Sequence, residues 1–355
     1  MNLPGIFPKS SGFSSADWEE ARRPELLRLF EEHVYGFTPT ELPETSFETV
    51  KSEAAEKFTK HEIFARFSKD GKSCGFTFFY YLPTQAKKPA PAVIALNPFS
   101  RSKRYADPDN NNIYLAHELL AENGCAGVLA NVDELCADDK DEYANGILKL
   151  FPRQGESGWG ALGAWAWAGS RIVDFLLSRT EIDSKKMCVL GFSRGGKAAL
   201  WCGAQDQRIA LTISVNSGCS GAAVTRGKRG ECIRDITSNF PHWLCEKYSS
   251  YSYREEDLPL DQHMLLALCG PRLLYVSSAS NDIWADPHKE FESCLNASAL
   301  YELYGKKGLQ QAALPPSNQP LLDGSIGYHL REGDHGCLKY DWQQYIAFIN
   351  KHLKD

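Results

Sequence analysis

Short, almost uninterrupted apolar runs alternate with longer segments of helical periodicity through most of the chain. The apolar runs lie at residues 92–96, 127–131, 186–190, 210–215 and 273–277. Helical patterns fall between them, notably at 111–123 and 160–179. Strands that are apolar on both faces are typical of a parallel sheet with helices packed on each side. The pattern therefore predicts an α/β fold with a mostly parallel central sheet in a three-layer sandwich.

The N-terminal part of the chain follows a different pattern. Residues 17–36 carry apolar side chains at a spacing near 3.6 and end at a glycine, which predicts a helix. Two β-like runs, 61–68 and 75–82, flank an Asp-Gly dipeptide, which favours an antiparallel hairpin. No linker-like stretch divides the chain, so we expect one domain over 1–355, with residues 1–40 packing on it as an arm and helix.

Composition narrows the class of protein. The chain has a formal net charge of −6 without a basic block, which argues against a nucleic-acid partner. No run approaches the roughly 18 apolar residues of a membrane span, and the N-terminus lacks an export signal. The 11 cysteines show no Cys-x-x-Cys spacing, which favours reduced thiols over a metal site. We expect a monomer that is cytoplasmic as written, or secreted or periplasmic if a leader has been removed.

A single serine stands between two glycines where the run at 186–190 stops. The segment reads Gly191-Phe192-Ser193-Arg194-Gly195, and a helix of small residues is predicted directly after it. Gly-x-Ser-x-Gly between a strand and a helix is the nucleophile elbow of α/β-hydrolases, which holds the hydroxyl above the sheet edge. The backbone N–H of Arg194 would point at the oxygen of a substrate carbonyl. Ser193 is therefore the predicted nucleophile.

A serine hydroxyl needs a general base, and the base needs an acid that fixes its tautomer. In this fold the chain order is serine, acid, histidine. His335 is the best candidate for the base, because it follows a strand-like segment and precedes the amphipathic terminal helix. His242 and His263 lie in apolar contexts that favour hydrogen-bonded core or pocket-wall positions.

Two positions could hold the acid. The first, directly after the run at 210–215, is occupied by Asn216, which is neutral. The second follows the run at 273–277 and offers Asp282 and Asp286. Asp282 is favoured because it comes sooner after the strand, whereas Asp286 precedes a proline and has the context of a helix cap. The sequence alone leaves both aspartates open.

Several longer segments resemble the bacterial branch of the glucuronoyl esterases, carbohydrate esterase family 15. They are RRPELLRLFEEHVYG (22–36), GFSRGGKAALWCGA (191–204), NSGCSGAA (216–223), SSASNDIWADP (277–287) and GDH (333–335) with YDW (340–342). Members of this family hydrolyse the ester between glucuronic acid groups of xylan and lignin alcohols. Fungal members carry a glutamate at the position of Asn216, whereas some bacterial members have their acid after the following strand, as Asp282 is here.

The resemblance also implies roles for four further residues. Arg194 matches the arginine that supports the oxyanion, and Lys197 matches the lysine that holds sugar hydroxyls. Glu231 matches a glutamate that accepts hydrogen bonds from the sugar, and Trp284 matches the tryptophan that lines the sugar site. Without the resemblance, Glu231 would be interpreted as a surface charge and Trp284 as a core residue.

These inferences predict a serine esterase that hydrolyses esters of glucuronic or 4-O-methylglucuronic acid through an acyl-enzyme, without metal or cofactor. One alternative keeps the hydrolase and changes the substrate, to acetylated sugars or to small intracellular uronate esters. Another is a non-catalytic carbohydrate-binding relative, which Asn216 alone favours.

Overall fold

The computed structural model describes residues 3–8, 12–86, 89–103 and 111–354. These residues contain a nine-stranded sheet. Its strands are β1 (Glu44–Ala54), β2 (Phe58–Lys69), β3 (Lys72–Pro83), β4 (Ala90–Asn97), β5 (Ala126–Asn131), β6 (Ile182–Phe192), β7 (Leu211–Val215), β8 (Leu273–Ala279) and β9 (Ile326–Arg331).

The strand order in space is β1-β2-β3-β5-β4-β6-β7-β8-β9. From β5 to β9 every neighbouring pair is parallel, whereas β1, β2 and β3 pair antiparallel with each other and β3 pairs antiparallel with β5. β2 and β3 are joined by Asp70-Gly71, both with positive φ. The predicted α/β fold with a mostly parallel sheet is therefore confirmed.

The α-helices pack on the two faces of this sheet. They are α1 (Ser15–Asp17), α2 (Arg23–Phe30), α3 (His117–Glu122), α4 (Val132–Leu135), α5 (Ala161–Leu177), α6 (Arg194–Gln205), α7 (Ile233–Asn239), α8 (Gln262–Cys269), α9 (Pro287–Leu303) and α10 (Lys339–Leu353). In the described part of the chain, no helix is long and apolar enough to cross a membrane.

Alternating residues of the central strands enter two separate cores. On β4, Ile94 and Leu96 join the larger core, which includes residues of α5, α6, α8 and α9. Val93 and Ala95 point the other way, into a smaller core with residues of α3 and α10. Every residue of β4 is buried, which explains why this strand is an unbroken apolar run in the sequence.

The N-terminal helical segment packs against the larger core. From Ser15 to Tyr35 it is continuous, with π-helical turns at Trp18–Arg22 and Glu31–Tyr35. Trp18 is fully buried, and the ring of Tyr35 stacks on that of Trp201 from α6, with centroids 4.6 Å apart. This contact places the segment directly behind the helix that follows Ser193.

One local prediction was wrong, and one strand was not predicted. The helix expected over 111–123 is confined to α3, because the preceding backbone bonds to another segment: the N–H of Ile113 donates to the carbonyl of Cys337 at 2.7 Å. Strand β1 was missed because it lies at the edge of the sheet and is exposed along almost its whole length. Its sequence therefore lacks the alternation that marks a half-buried strand.

Candidate active site

Ser193 lies at the sharp turn between β6 and α6. Its backbone has φ 57° and ψ −123°, a conformation that non-glycine residues rarely adopt. A Cβ atom on Gly191 would lie 1.9 Å from the carbonyl oxygen of Gly195, so the turn can only close with glycine at 191. The predicted elbow geometry is present, and it holds the serine at the carboxyl end of β6. The Ser193 hydroxyl forms no hydrogen bond with another described residue.

His335 and Asp282 come from neighbouring loops at the same edge of the sheet. The Nδ1 atom of His335 lies 2.6 Å from Oδ2 of Asp282, which is only 6% exposed. Both carboxylate oxygens of Asp286 are bound elsewhere: Oδ2 accepts the backbone N–H of Arg229 at 2.7 Å, and Oδ1 accepts that of Lys289 at the start of α9. Of the two aspartates that the sequence left open, the structure brings Asp282 to the imidazole and uses Asp286 as a helix cap.

Ser193, His335 and Asp282 line one cavity of about 330 Å³. The same cavity is lined by the four other predicted site residues, Arg194, Lys197, Glu231 and Trp284. Its remaining lining residues are Asn216, Ser217, Gly218, Phe240, Trp243 and Ala285. The seven predicted site residues, which belong to four separate segments of the chain, therefore converge on one site.

The guanidinium of Arg194 is fixed by Asp138, a residue that the sequence analysis missed. Arg194 Nη1 pairs with Asp138 Oδ2, and the guanidinium lies over the ring of Trp243, 4.6 Å from its centroid. The other carboxylate oxygen accepts hydrogen bonds from Trp243 Nε1 at 2.6 Å and His242 Nε2 at 3.0 Å. One half-buried carboxylate thus binds both the Arg194 guanidinium and Trp243, which lines the cavity.

Asp138 carries its negative charge in this environment. Burial alone would raise its pKa, but the hydrogen bonds from His242 and Trp243 and the charge of Arg194 outweigh burial and hold the pKa below its usual range. His242, which the sequence placed in the core or in a pocket wall, is therefore a partner of this carboxylate. His263 binds the carbonyl of Pro4 at 2.9 Å, away from the cavity.

Lys197 and Glu231 form a buried ion pair beside the nucleophile. Lys197 is 4% exposed and Glu231 is 8% exposed, with 3.2 Å between Nζ and Oε2. The ammonium also donates to the carbonyls of Ser217 at 2.7 Å and Cys219 at 2.5 Å. Lys197 is therefore not a solvated lysine on the helix surface.

Trp284 forms an exposed wall of the same cavity. The residue is 55% exposed, whereas tryptophan side chains are highly buried on average. Its carbonyl accepts the backbone N–H of Glu231 at 3.1 Å and the ammonium of Lys228 at 2.7 Å. These bonds fix the backbone of the loop that presents the indole to the cavity.

Two buried polar residues complete the surroundings. Asn216 has φ 46°, and its amide Nδ2 donates to the carbonyl of Gly336 at 2.7 Å, directly beside His335 in the chain. Glu290 on α9 accepts the backbone N–H of Gly218 at 2.9 Å and the hydroxyl of Ser278 at 2.6 Å. Burial raises the pKa of Glu290 to about 7. No sequence signal marks Glu290, because a glutamate inside a helix is normally a surface charge.

The chain is similar to several known proteins. Residues 66–305 match the family model described as glucuronyl esterase, fungi. The chain is 35% identical to carbohydrate esterase MZ0003 from an unknown prokaryotic organism, over 96% of this chain and 86% of that protein. It is 30% identical to the 4-O-methyl-glucuronoyl methylesterase of Podospora anserina, over 80% of this chain but only 56% of the fungal protein. The solved glucuronoyl esterase from Solibacter usitatus superposes with a TM-score of 0.88 at 33% identity, covering 98% of this chain and 97% of that one.

Proposed function

Because the chain belongs to the glucuronoyl esterase family, carbohydrate esterase family 15, we propose that it hydrolyses alkyl and aryl esters of glucuronic and 4-O-methylglucuronic acid. The observation that carries this proposal is the convergence of Ser193, the His335–Asp282 pair and the buried Lys197–Glu231 pair on one cavity. The first three side chains supply ester hydrolysis, and the ion pair supplies sugar recognition.

In the proposed first step, His335 removes the proton of the Ser193 hydroxyl as the oxygen attacks the ester carbon. Asp282 fixes the imidazole with its proton on Nδ1, so that Nε2 is the atom available to the serine, and it stabilises the imidazolium that forms. The Ser193 hydroxyl has no competing partner among the described residues and is free to turn toward the ring. Hydrogen bonds of this kind often tighten only when substrate is bound.

The oxyanion of the tetrahedral intermediate would lie between the backbone N–H of Arg194 and its guanidinium. The guanidinium is held by Asp138 and the Trp243 ring before substrate arrives, so little reorganisation is needed as charge develops. Collapse of the intermediate expels the alcohol, which takes the proton from His335. Water activated by the same histidine then releases the glucuronate from Ser193.

Sugar recognition is assigned to Lys197, Glu231 and Trp284. The three hydrogens of the Lys197 ammonium bind Glu231 and the carbonyls of Ser217 and Cys219, so a sugar hydroxyl would replace one of these acceptors, while the carboxylate of Glu231 accepts from a neighbouring hydroxyl of the same pyranose ring. The exposed face of Trp284 offers the apolar contact that sugar C–H groups require. These contacts favour a substrate whose sugar lies on the acyl side of the ester.

The substrate is tested by comparing a methyl glucuronate ester with acetylated xylo-oligosaccharides at equal enzyme concentration. We expect the uronate ester to be hydrolysed with the higher kcat/KM, because only in that ester does the acyl group carry the hydroxyls that Lys197 and Glu231 bind. A higher kcat/KM for the acetylated sugar would favour the deacetylase alternative. The non-catalytic alternative depended on Asn216, and the contact between Asp282 and His335 removes the reason for it.

A further inference from the structure

His335 sits on a short loop whose backbone carbonyls bind the guanidinium of Arg331. Arg331 is the last residue of β9 and is 5% exposed. Its Nη2 donates to the carbonyls of Asp334 at 2.7 Å and Gly336 at 3.2 Å, and its Nη1 donates to that of Glu332 at 3.0 Å. The carbonyls of the two residues that flank His335 are thus attached to one rigid, planar cation.

The guanidinium is itself anchored in a buried network. Arg331 Nε donates to Asp341 Oδ2 at 3.0 Å, and Asp341 Oδ1 lies 2.8 Å from Nε2 of His329. The Nδ1 atom of His329 lies 2.9 Å from the hydroxyl of Tyr275. Burial lowers the pKa of His329, so its ring is neutral. Because the carboxylate of Asp341 accepts hydrogen bonds, the ring donates from Nε2 and accepts at Nδ1. Arg331 cannot move without leaving one of these buried groups unpaired.

Other contacts join the histidine loop to its neighbours. Asn216 Nδ2 provides a second donor to the carbonyl of Gly336. The backbone N–H of Asn281, next to Asp282 in the chain, donates to the carbonyl of Gly333 at 2.9 Å. Gly333 has φ 110°, a backbone conformation that residues with a side chain rarely adopt, so glycine favours this loop path. The loops of His335 and Asp282 are therefore held as one unit.

We propose that Arg331, anchored by Asp341, is a positioning residue that keeps the imidazole of His335 aligned with Asp282 and Ser193. The proposal rests on the proposed function, in which His335 is the base. Arg331 does not line the cavity, so its effect would reach the reaction only through the loop. A displacement of about 1 Å in a reacting group can cost about 100-fold in rate. Three carbonyls bound to one guanidinium are enough to set the position of a loop this short.

The test compares Arg331→Lys with a matched control, Arg272→Lys. Arg272 is a partly buried arginine whose guanidinium, like that of Arg331, binds several backbone carbonyls; among the described residues its acceptors are the carbonyls of Gly203, Asp206, Ile209 and Leu268. It directly precedes β8 and therefore lies at the sheet edge opposite the active site. A lysine ammonium is smaller than the planar guanidinium and cannot bind the same set of carbonyls. Both variants should therefore lose similar thermal stability.

Three measurements distinguish an effect on the position of the His335 ring from an effect on the stability of the protein. They are kcat and KM on a methyl glucuronate ester, the rate at which a fluorophosphonate labels Ser193, and the downfield proton resonance of the His335–Asp282 hydrogen bond. For Arg331→Lys we expect kcat and the labelling rate to fall by about 10- to 100-fold. We also expect KM to be unchanged and the resonance to be shifted or lost. Arg272→Lys should match the wild type in all three.

Labelling of Arg331→Lys at the wild-type rate, with the resonance unchanged, would overturn the proposal. If that variant does not fold, Asp341→Asn, which keeps the side-chain volume, is judged by the same readouts and the same criterion. If the wild type is labelled but does not hydrolyse the uronate ester, the proposed substrate is wrong. The labelling rate and the resonance would still decide the role of Arg331 in that case.

Discussion

The Nδ1 atom of His335 lies 2.6 Å from Oδ2 of Asp282, although 53 positions separate the two residues in the chain. The two loops follow neighbouring parallel strands, β8 and β9, and their carboxyl ends meet at one edge of the sheet. A short contact between a buried carboxylate and an imidazole fixes both the ring orientation and the tautomer. The proposed activation of Ser193 by His335 depends on this contact.

Replacing Asp282 by asparagine should therefore abolish most of the activity. We expect Asp282→Asn to lower kcat by about 10³- to 10⁴-fold, because an amide favours the wrong tautomer of the histidine. Asp286→Asn is the matched control: asparagine caps helices as well as aspartate and tolerates the φ of 65° found there. Steady-state kinetics on a uronate ester measure kcat for both variants. Equal losses in the two variants would show that the acid has been assigned wrongly.

The pair between Arg194 and Asp138 should behave as one functional unit. Asp138→Asn keeps an oxygen for Trp243 and His242 but removes the charge that holds the guanidinium. We expect Asp138→Asn and Arg194→Lys each to lower kcat by about 10- to 100-fold, somewhat less than loss of a backbone oxyanion donor. The double variant should be no slower than the slower single variant, because each change removes the same interaction. Multiplicative losses would contradict this coupling.

The buried Lys197–Glu231 pair predicts an asymmetric effect on stability. Lys197→Met leaves the carboxylate of Glu231 buried without its ammonium partner and should lower the free energy of unfolding by about 3–5 kcal/mol. Adding Glu231→Gln should restore part of this loss, since the remaining amide is neutral. Urea unfolding of the wild type, the single and the double variants measures the effect. A single variant as stable as the wild type would mean that the pair is solvated.

Glu290 predicts a specific dependence of stability on pH. Its pKa in the folded state is about 7, above the ordinary value of 4.5, because the side chain is buried. The folded state therefore binds the proton more tightly, and the contribution of Glu290 to stability is fully present below pH 4.5 and lost as the pH rises to about 7. Glu290→Gln cannot titrate, so it provides the reference.

We expect the unfolding free energy of the wild type, minus that of Glu290→Gln, to fall by about 3 kcal/mol over that pH range. Urea unfolding at several pH values between 4.5 and 8 measures this difference directly. A difference that does not change with pH would show that Glu290 titrates normally.

The sequence predicts the central sheet because strands buried on both faces leave a continuous apolar signal. It also predicts the elbow, because a tight strand-to-helix turn restricts position 191 to glycine. The same reasoning fails for β1, whose exposed residues carry no apolar pattern. It fails again at 111–116, where hydrogen bonds to a distant segment replace the helical ones.

The parts of the site that could not be predicted depend on contacts between distant residues. Asp138 lies in the acidic stretch Asp138-Asp139-Lys140-Asp141-Glu142, and nothing in that stretch shows that the first carboxylate meets Arg194, 56 positions away. Asp282 and Asp286 are four residues apart, and although the context of Asp286 favours a helix cap, only the fold brings Asp282 to the histidine and Asp286 to α9. Lys197, Glu231 and Trp284 were found through the resemblance to a family rather than through any local pattern.

The role of Ser193 is tested by comparing hydrolysis of a benzyl glucuronate ester by the wild type and by Ser193→Ala, with both proteins checked for equal thermal stability. If Ser193 is the nucleophile that His335 activates, the alanine variant should lose activity by several orders of magnitude, since removal of a triad member commonly costs about 10⁴- to 10⁶-fold in kcat. An alanine variant that retains a substantial fraction of the wild-type kcat would contradict the proposed mechanism.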